Sequence, residues 1–575
     1  MTALLRVVFA RRFFRNIQIR HIALAAGLAL LAPPGADAQT TEQLVKGATD
    51  TANVLNYGMG YNLQRFSPLT QINKDNAKNL VPVWNYSLAD DRAEESQPIV
   101  YQGVLYVTTH NATMAVEVKT GKQIWKTKVE YPPETPRIVC CGIINRGAAI
   151  YDGKLFRTTL DAHVISLDAK TGKELWRQKA ADIKEGYSMT VAPLVADGVV
   201  LTGISGAEFG TRGFIDGWDP ATGKHLWRTH TVPTPDEPGG DTWKGDTWKL
   251  GGGSTWITGS YDPELNTVYW GVGNPGPFNA AVRPGDNLYT CAVLALDPKT
   301  GKIKWHYQFS PNNPFDYDAV AEMVLADINV EGKPTKVLMD ANRNGFFYVL
   351  DRTNGKLLAA NPYVKVNWAT GIDMKSGRPV ETDVSKEARE GKKVVVYPSI
   401  LGGKNWEPMS FNPQTGLAYA NTLSFGGRYK SEPATYKAGE WYLGMDLTDL
   451  WEWPPAGEPR GHLKAIDPLT GKSKWEVGSA IPRFSGVLST AGGVVFSGQL
   501  TGEFEAFDAN DGKKLWQFQT GSGIEGQPVT WQQDGVQYVA VTSGLGGVYS
   551  LFSGDERLAN VPAGGSLWVF AVKPQ

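Results

Sequence analysis

Short apolar, strand-like runs alternate with polar turns along most of this chain, and the turns share a pattern. Each turn begins with Asp or a substitute, passes through Thr-Gly, Asn-Gly or Asp-Gly, and leads into a second strand-like run ending in Trp. Residues 119–125, 168–176 and 219–227 are clear copies, and their tryptophans (Trp125, Trp176, Trp227) recur 51 residues apart. Further copies occupy 297–305, 467–475 and 508–516, with weaker versions at 351–355, 412–416 and 261–270. Each copy predicts a β-hairpin, because Gly supplies the positive φ that a tight turn requires. One sheet of this kind cannot bury both faces, whereas radially stacked sheets can. The expected fold is therefore all-β, an eight-bladed β-propeller in which each repeat Trp wedges between adjacent blades.

Composition agrees with many short strands and tight turns: 64 glycines, 35 prolines and 19 tryptophans in 575 residues. A net charge of -1 lacks the basic footprint that nucleic acid demands. Residues 1–38 have the parts of a secretory signal: five arginines from Arg6 to Arg20, an apolar stretch from Ile22 to Ala32, and Ala36-Asp-Ala38 as the cleavage site. That stretch is too short for a membrane span, and no later one is long enough. The expectation is a periplasmic protein whose residues 39–575 form a single propeller domain. Arg11-Arg12-Phe-Phe faintly resembles a twin-arginine signal, but ordinary unfolded export is the expectation.

The chain has three cysteines, two of them adjacent at Cys140 and Cys141. A bond between neighbours closes almost no loop and is a poor staple, but it makes a rigid plate. A chance pair of reduced thiols is the alternative. Export favours the bonded form and leaves Cys291 as an odd, buried thiol.

Six other segments carry more chemistry than hairpin turns need. In Ile204-Ser-Gly-Ala-Glu208, small residues permit close approach to a ligand and Glu208 offers a cation ligand, although an exposed turn would look the same. Gly251-Gly-Gly-Ser-Thr-Trp256 lets an indole lie flat on a ligand or on core neighbours. Asn274, in Gly273-Asn-Pro-Gly-Pro277, is a cation ligand or a turn residue. Asp316 and Asp318, separated by one residue, point to the same side of an extended chain and share a cation, or else cap a turn. Arg343 supplies a fixed cation or an interblade ion pair. Asn405 and Trp406 follow Leu401-Gly-Gly-Lys and suit a flat ligand or a plain turn.

Together and in this order, the segments resemble the pyrroloquinoline quinone (PQQ)-dependent alcohol dehydrogenases of the methanol and ethanol dehydrogenase type. The resemblance runs from about Tyr57 to Trp568, and its most specific mark is Cys140-Cys141 followed five residues later by Arg146. It implies PQQ between the Cys140–Cys141 ring and the indole of Trp256. Glu95, Arg146, Thr190, Ser205, Gly206, Ala207, Ser254, Arg343, Asn405 and Trp406 would meet the cofactor's edge. Glu208 and Asn274 match the family's metal ligands, and Asp316 its catalytic aspartate, acting as general base. Asp318 accompanies lanthanide use in this family, where calcium enzymes usually have an uncharged residue. Three carboxylates also suit a trivalent ion better than Ca²⁺.

Departures from the family pattern bear on the substrate. Phe484 and Phe552 stand near the expected entrance where relatives commonly have Trp, and Gly142 replaces a frequent Asp. The smaller rings favour ethanol and longer or aromatic primary alcohols over methanol. No Cys-x-x-Cys-His haem motif occurs in the chain, so electrons are expected to leave for a separate carrier, which the resemblance implies is a periplasmic c-type cytochrome. Pairing of two copies as a homodimer stays open. Two alternatives are a cofactor-free propeller scaffold for outer-membrane protein assembly, which would not need Cys140-Cys141, Glu208, Asp316 and Asp318 together, and a PQQ sugar dehydrogenase.

Overall fold

The computed structural model describes residues 38–572. The expected signal falls on residues that, except for Ala38, lie outside them. Among the described residues no helix is long and apolar enough to cross a membrane, and strands in eight sheets of four or five dominate.

Six of these sheets take four strands consecutive along the chain, or interrupted by one excursion, hydrogen-bonded in chain order. First strands such as Ile99–Tyr101, Leu194–Ala196 and Ser260–Asp262 are buried at every position. Fourth strands such as Glu174–Lys179 and His225–His230 are largely exposed or half-buried. The first strand of each sheet is thus the inner one, and the fourth faces water.

The turn pattern lies between third and fourth strands. Asp168 Oδ1 accepts the amides of Lys170 and Thr171 and the Thr171 hydroxyl, and Asp219 and Asp297 repeat the arrangement. This is the local hydrogen bonding for which Asp and Thr are favoured in turns. The tryptophan that follows crosses to the next sheet. Trp125 Nε1 donates to Ala169 O (3.1 Å), Trp176 to Pro220 O (3.2 Å), Trp227 to Pro298 O (3.2 Å) and Trp475 to Ala509 O (3.0 Å). The turn glycine of the receiving sheet is required there, because a Cβ on Gly172 would sit 2.4 Å from the Trp125 ring.

Two weak copies lie elsewhere in their sheets. The turns at 261–270 and 412–416 join first to second strands, Ser260–Asp262 to Thr267–Gly271 and Ser410–Asn412 to Leu417–Leu423. Both hairpins are buried, so Trp270 has no outer groove to enter and donates to Thr255 O instead. At 351–355 the turn is in the usual place, but Ala359 stands where the crossing Trp would be, and two residues on the Asn361 amide reaches Leu469 O (2.9 Å) instead.

One sheet is assembled from both ends of the chain. Leu80–Ser87 pairs with Ser566–Val572, which pairs with Val536–Ser543 and then Val529–Gln533. Its fourth strand comes from the N-terminal side, so no repeat turn marks it. Trp84 and Trp516 complete the docking on either side, donating to Val118 O (2.7 Å) and Leu80 O (3.0 Å).

In an antiparallel sheet of this order, the approach to the first strand and the connection from second to third open at the same end. That end carries the candidate chemistry.

Candidate active site

Glu95, Arg146, Thr190, Trp256 and Trp406 lie three or four residues before first strands that begin at Ile99, Ala149, Leu194, Ser260 and Ser410. Asp316 and Asp318 precede Val324–Val330. Ser205, Gly206, Glu208, Asn274 and Arg343 sit instead between second and third strands. The two kinds of segment meet at one end of the fold around a cavity of about 70 Å³. Glu95, Cys140, Cys141, Arg146, Thr190, Ser205, Gly206, Glu208, Ser254, Trp256, Asp316, Asp318, Arg343, Asn405 and Trp406 all line it.

The remaining expected residues are placed differently. Ala207 and Asn274 are buried but are not part of the lining. Phe484 is not at an entrance: it is 1% exposed and packs on Tyr549, with ring centroids 5.5 Å apart. Its neighbours are Phe425, Leu401 and Leu500, an apolar cluster that a single residue's position in the chain does not announce. Phe552 is 38% exposed, its carbonyl accepts Trp451 Nε1 (3.0 Å), and it does not line the cavity.

Arg146 organises one side of the cavity. Its Nη2 pairs with Glu95 Oε2 at 2.8 Å and its Nη1 donates to Thr190 Oγ1 at 2.6 Å. The guanidinium lies 4.8 Å from the Trp256 ring centroid and 5.2 Å from that of Trp406, so a cation already rests on both indoles. The Sγ atoms of Cys140 and Cys141 are bonded at 2.06 Å. Cys140 also packs beside Ile138, Ile183 and Phe209.

Arg343 organises the other side. Its Nη2 pairs with Asp316 Oδ2 (3.0 Å), its Nη1 with Asp318 Oδ2 (2.7 Å), and its Nε donates to Ile400 O (3.0 Å). Gly402 makes this possible, since a Cβ there would stand 2.1 Å from Arg343 Cγ. Asp318 also accepts Trp256 Nε1 (3.1 Å) and the Asn274 amide (2.5 Å). The Asp pair is therefore knit to the Trp256 plate and to the Asn274 turn. Asp316 has φ 59° and Cys141 φ 68°, left-handed values uncommon for residues with a side chain and often held at functional positions.

Burial shifts these carboxylates. Glu208 is pushed up to about 7 by burial and by the neighbouring Asp318 charge. Burial raises Asp316 well above the carboxylate range, with Arg343 opposing and Asp318 and Glu208 adding to the rise. Burial likewise raises Asp318, again against Arg343. Three carboxylates thus face one guanidinium, an imbalance that an added cation would relieve.

Among the described residues no three His, Cys, Asp or Glu side chains already converge as a metal cluster. The donor set nonetheless fits a hard cation. Asn274 Oδ1 and Asp316 Oδ1 are buried oxygens that accept no hydrogen bond, and oxygen-only ligation suits calcium-like ions. The fit to a flat anionic cofactor rests on the Trp256 face, the Cys140–Cys141 plate, and two buried polar atoms without a partner, Ser254 Oγ and Arg146 Nε.

A family profile described as "PQQ: Glucose/ethanol/alcohol dehydrogenase, beta-propeller domain" matches residues 55–370 and 450–539. The chain belongs to the PQQ-dependent alcohol dehydrogenase family. It is 40% identical to the quinoprotein alcohol dehydrogenase PedH of Pseudomonas putida, over 96% of this chain and 97% of that protein. It is 38% identical to the lanthanide-dependent methanol dehydrogenase of Methylacidiphilum fumariolicum, over 89% and 88% of the two chains. A solved europium-containing methanol dehydrogenase superposes with a TM-score of 0.87 at 37% identity, covering 92% of this chain and all of that one. Membership in this family sets aside the cofactor-free scaffold.

Ile144, Ser188 and Val548 also line the cavity and were not expected there. Ile144 and Ser188 stand two residues before Arg146 and Thr190, as Ser254 stands two before Trp256, so alternation along each approach would have found them. Val548 has no such signal, because it enters from the last connection of the chain.

Proposed function

We propose that this protein is a periplasmic quinoprotein that oxidises primary alcohols to aldehydes and hands electrons to a c-type cytochrome. The observation that carries the reading is the meeting of Asp316, Arg343 and Asp318 with the Cys140–Cys141 plate, Trp256 and Arg146 in one cavity of a PQQ-family propeller. When bound, PQQ supplies a hydride acceptor and the metal ion a Lewis acid.

The chain's own residues do the rest. Trp256 and the Cys140–Cys141 plate hold the flat cofactor, and Arg146 with Thr190 and Ser254 binds its anionic edge. Glu208, Asn274, Asp316 and Asp318 hold the metal. Asp316 takes the alcohol's hydroxyl proton as general base, through an oxygen with no other hydrogen bond. Arg343 keeps Asp316 oriented and offers its guanidinium to developing negative charge. Val548, on the cavity wall, and the Phe484–Tyr549 packing behind it shape the space left for the alcohol. The expected preference for ethanol and longer or aromatic primary alcohols over methanol loses its basis, because neither Phe484 nor Phe552 lines the cavity.

A lanthanide is the proposed ion, because Glu208, Asp316 and Asp318 put three carboxylates around one site before any from PQQ is counted, and a trivalent ion offsets that charge better than Ca²⁺. The test is reconstitution of the apo-protein with PQQ and either La³⁺ or Ca²⁺, followed by alcohol-dependent dye reduction. Faster turnover with La³⁺ is expected, and equal or faster turnover with Ca²⁺ sinks the choice of ion. Absence of a quinone absorption band after reconstitution with either ion would reject the wider reading. An exported cytochrome acceptor is supported by the signal-like N-terminus and by the lack of a Cys-x-x-Cys-His motif in this chain.

A further inference from the structure

A row of buried acidic residues leads away from the Arg146 end of the cavity. Glu95 lines the cavity and pairs with Arg146. Glu525, 1% exposed, accepts the Gly547 amide on Oε1 at 3.1 Å, while its Oε2 has no hydrogen-bond partner. Glu94, also 1% exposed, has no partner on either carboxylate oxygen. Asp90 follows, with Oδ2 2.7 Å from His110 Nδ1, and the His110 side chain is 16% exposed.

One glycine-rich segment runs beside the two middle members, Glu525 and Glu94. A Cβ on Gly547 would stand 2.4 Å from Glu525 Oε2, and a Cβ on Gly544 would stand 2.4 Å from Glu94 Cγ. The Glu94 amide donates to Gly544 O (3.0 Å). Glu94 and Glu525 therefore lie along residues 544–547, in room that side chains there would fill. The charges couple in the same order. Glu94 feels Asp90 and Glu525, and Glu525 feels Glu95. Lys126 and Arg146 are the cations acting on the row.

A structural ion-pair network would satisfy its acids. Here Glu94 is left without a donor, which strongly disfavours its charged form. A neutral, proton-carrying acid is the form that such a site tolerates. Burial pushes Glu94 well above the carboxylate range, and burial with the Glu95 charge brings Glu525 to about 8. At the outer end burial would raise Asp90, but the His110 hydrogen bond and charge outweigh it and lower it.

We propose that Glu95, Glu525, Glu94 and the Asp90–His110 pair form a proton exit from the cofactor cavity to solvent. The proposal rests on the alcohol-oxidising reading above. For each alcohol oxidised, one C–H and one O–H bond break and a C=O bond forms. Two electrons pass to external one-electron carriers, and two protons must reach water. The row gives those protons a path that does not require opening the cavity.

The test uses the holoenzyme and the E94Q variant, since Glu94 touches neither cofactor nor substrate. Expected are a loss of turnover of about 10-fold or more, a larger solvent deuterium isotope effect, and partial rescue by added imidazole. PQQ affinity, read by tryptophan fluorescence, should be unchanged. Independently of activity, the apo-protein at about pH 7 should show an infrared band of protonated carboxyl that E94Q diminishes. Wild-type turnover with an unaltered isotope effect, or no such band in the wild type, overturns the exit. If E94Q does not fold, H110Q at the exposed end carries the kinetic test with the same expectations. A wild-type protein that neither binds PQQ nor oxidises alcohols would sink the proposed function instead.

Discussion

At Asp316 a single side chain is held from two directions. Its backbone sits at positive φ, and its Oδ2 is paired with Arg343 while Oδ1 is left without a donor. Replacing it with Asn keeps the shape and removes the base. D316N should bind PQQ with near wild-type affinity and lose about 10²–10⁴-fold in kcat, a split that a PQQ titration beside steady-state kinetics reads directly. Cys140 and Cys141 obey a different logic. Their bond closes almost no loop, so its contribution to unfolding entropy is small. The C140S/C141S double variant should melt close to the wild type yet bind PQQ several-fold more weakly, as calorimetric scans and a fluorescence titration would show.

Among the elements, the short helix Val548–Phe552 connects the cavity to the apolar packing behind it. Asp555 secures its far side, accepting Tyr549 OH (2.9 Å), Arg460 Nη1 (2.9 Å) and Arg557 Nη2 (2.6 Å). Burial alone would raise this carboxyl, but the hydrogen bonds from Arg557 and Tyr549 prevail and bring it down to about 2. An unfolded Asp titrates near 3.9, so the folded state binds this proton more weakly. The stabilisation is complete above about pH 4 and is lost as pH falls toward about 2. Urea unfolding at stepped pH should show the wild type losing more stability over that interval than D555N, which starts lower and has no charge to lose there.

For the whole molecule, closure depends on one strand pair. Leu80–Ser87 and Ser566–Val572 come from opposite ends of the chain, and their sheet docks on its neighbours through Trp84 and Trp516. Deleting Ser566–Val572 leaves Leu80–Ser87 without its partner and uncovers the apolar faces around Trp531 and Phe504. Such a truncated protein should unfold at lower urea with a broadened transition, and it should lose PQQ binding even though the deletion removes no residue of the cavity. A sharp transition at the wild-type midpoint would show that closure contributes little.

Much of this was legible along the chain. Turn chemistry is local: Asp, Thr and Gly within a few residues decide a hairpin, and the Trp that follows marks the outer strand, so the repeats and the all-β fold could be read directly. The cavity-lining residues around Cys140-Cys141, Arg146, Ser205-Gly206, Trp256, Asp316 and Asn405-Trp406 were legible through the resemblance that their segments make together and in order, since each segment alone fits a turn or a core contact equally well. What the tertiary structure decided was contact between distant segments. Packing alone put Phe484 under Tyr549, brought Val548 to the wall, gave Arg343 both aspartates at once, and lined up Glu94 and Glu525 along residues 544–547. Those partners are separated by tens to hundreds of residues, and only the stacking and closure of the sheets sets their distances. The sequence by itself thus determined the hairpins and the chemical groups available at their ends. Convergence, burial and the resulting charge imbalance arise only when those ends are gathered into one low-dielectric cavity.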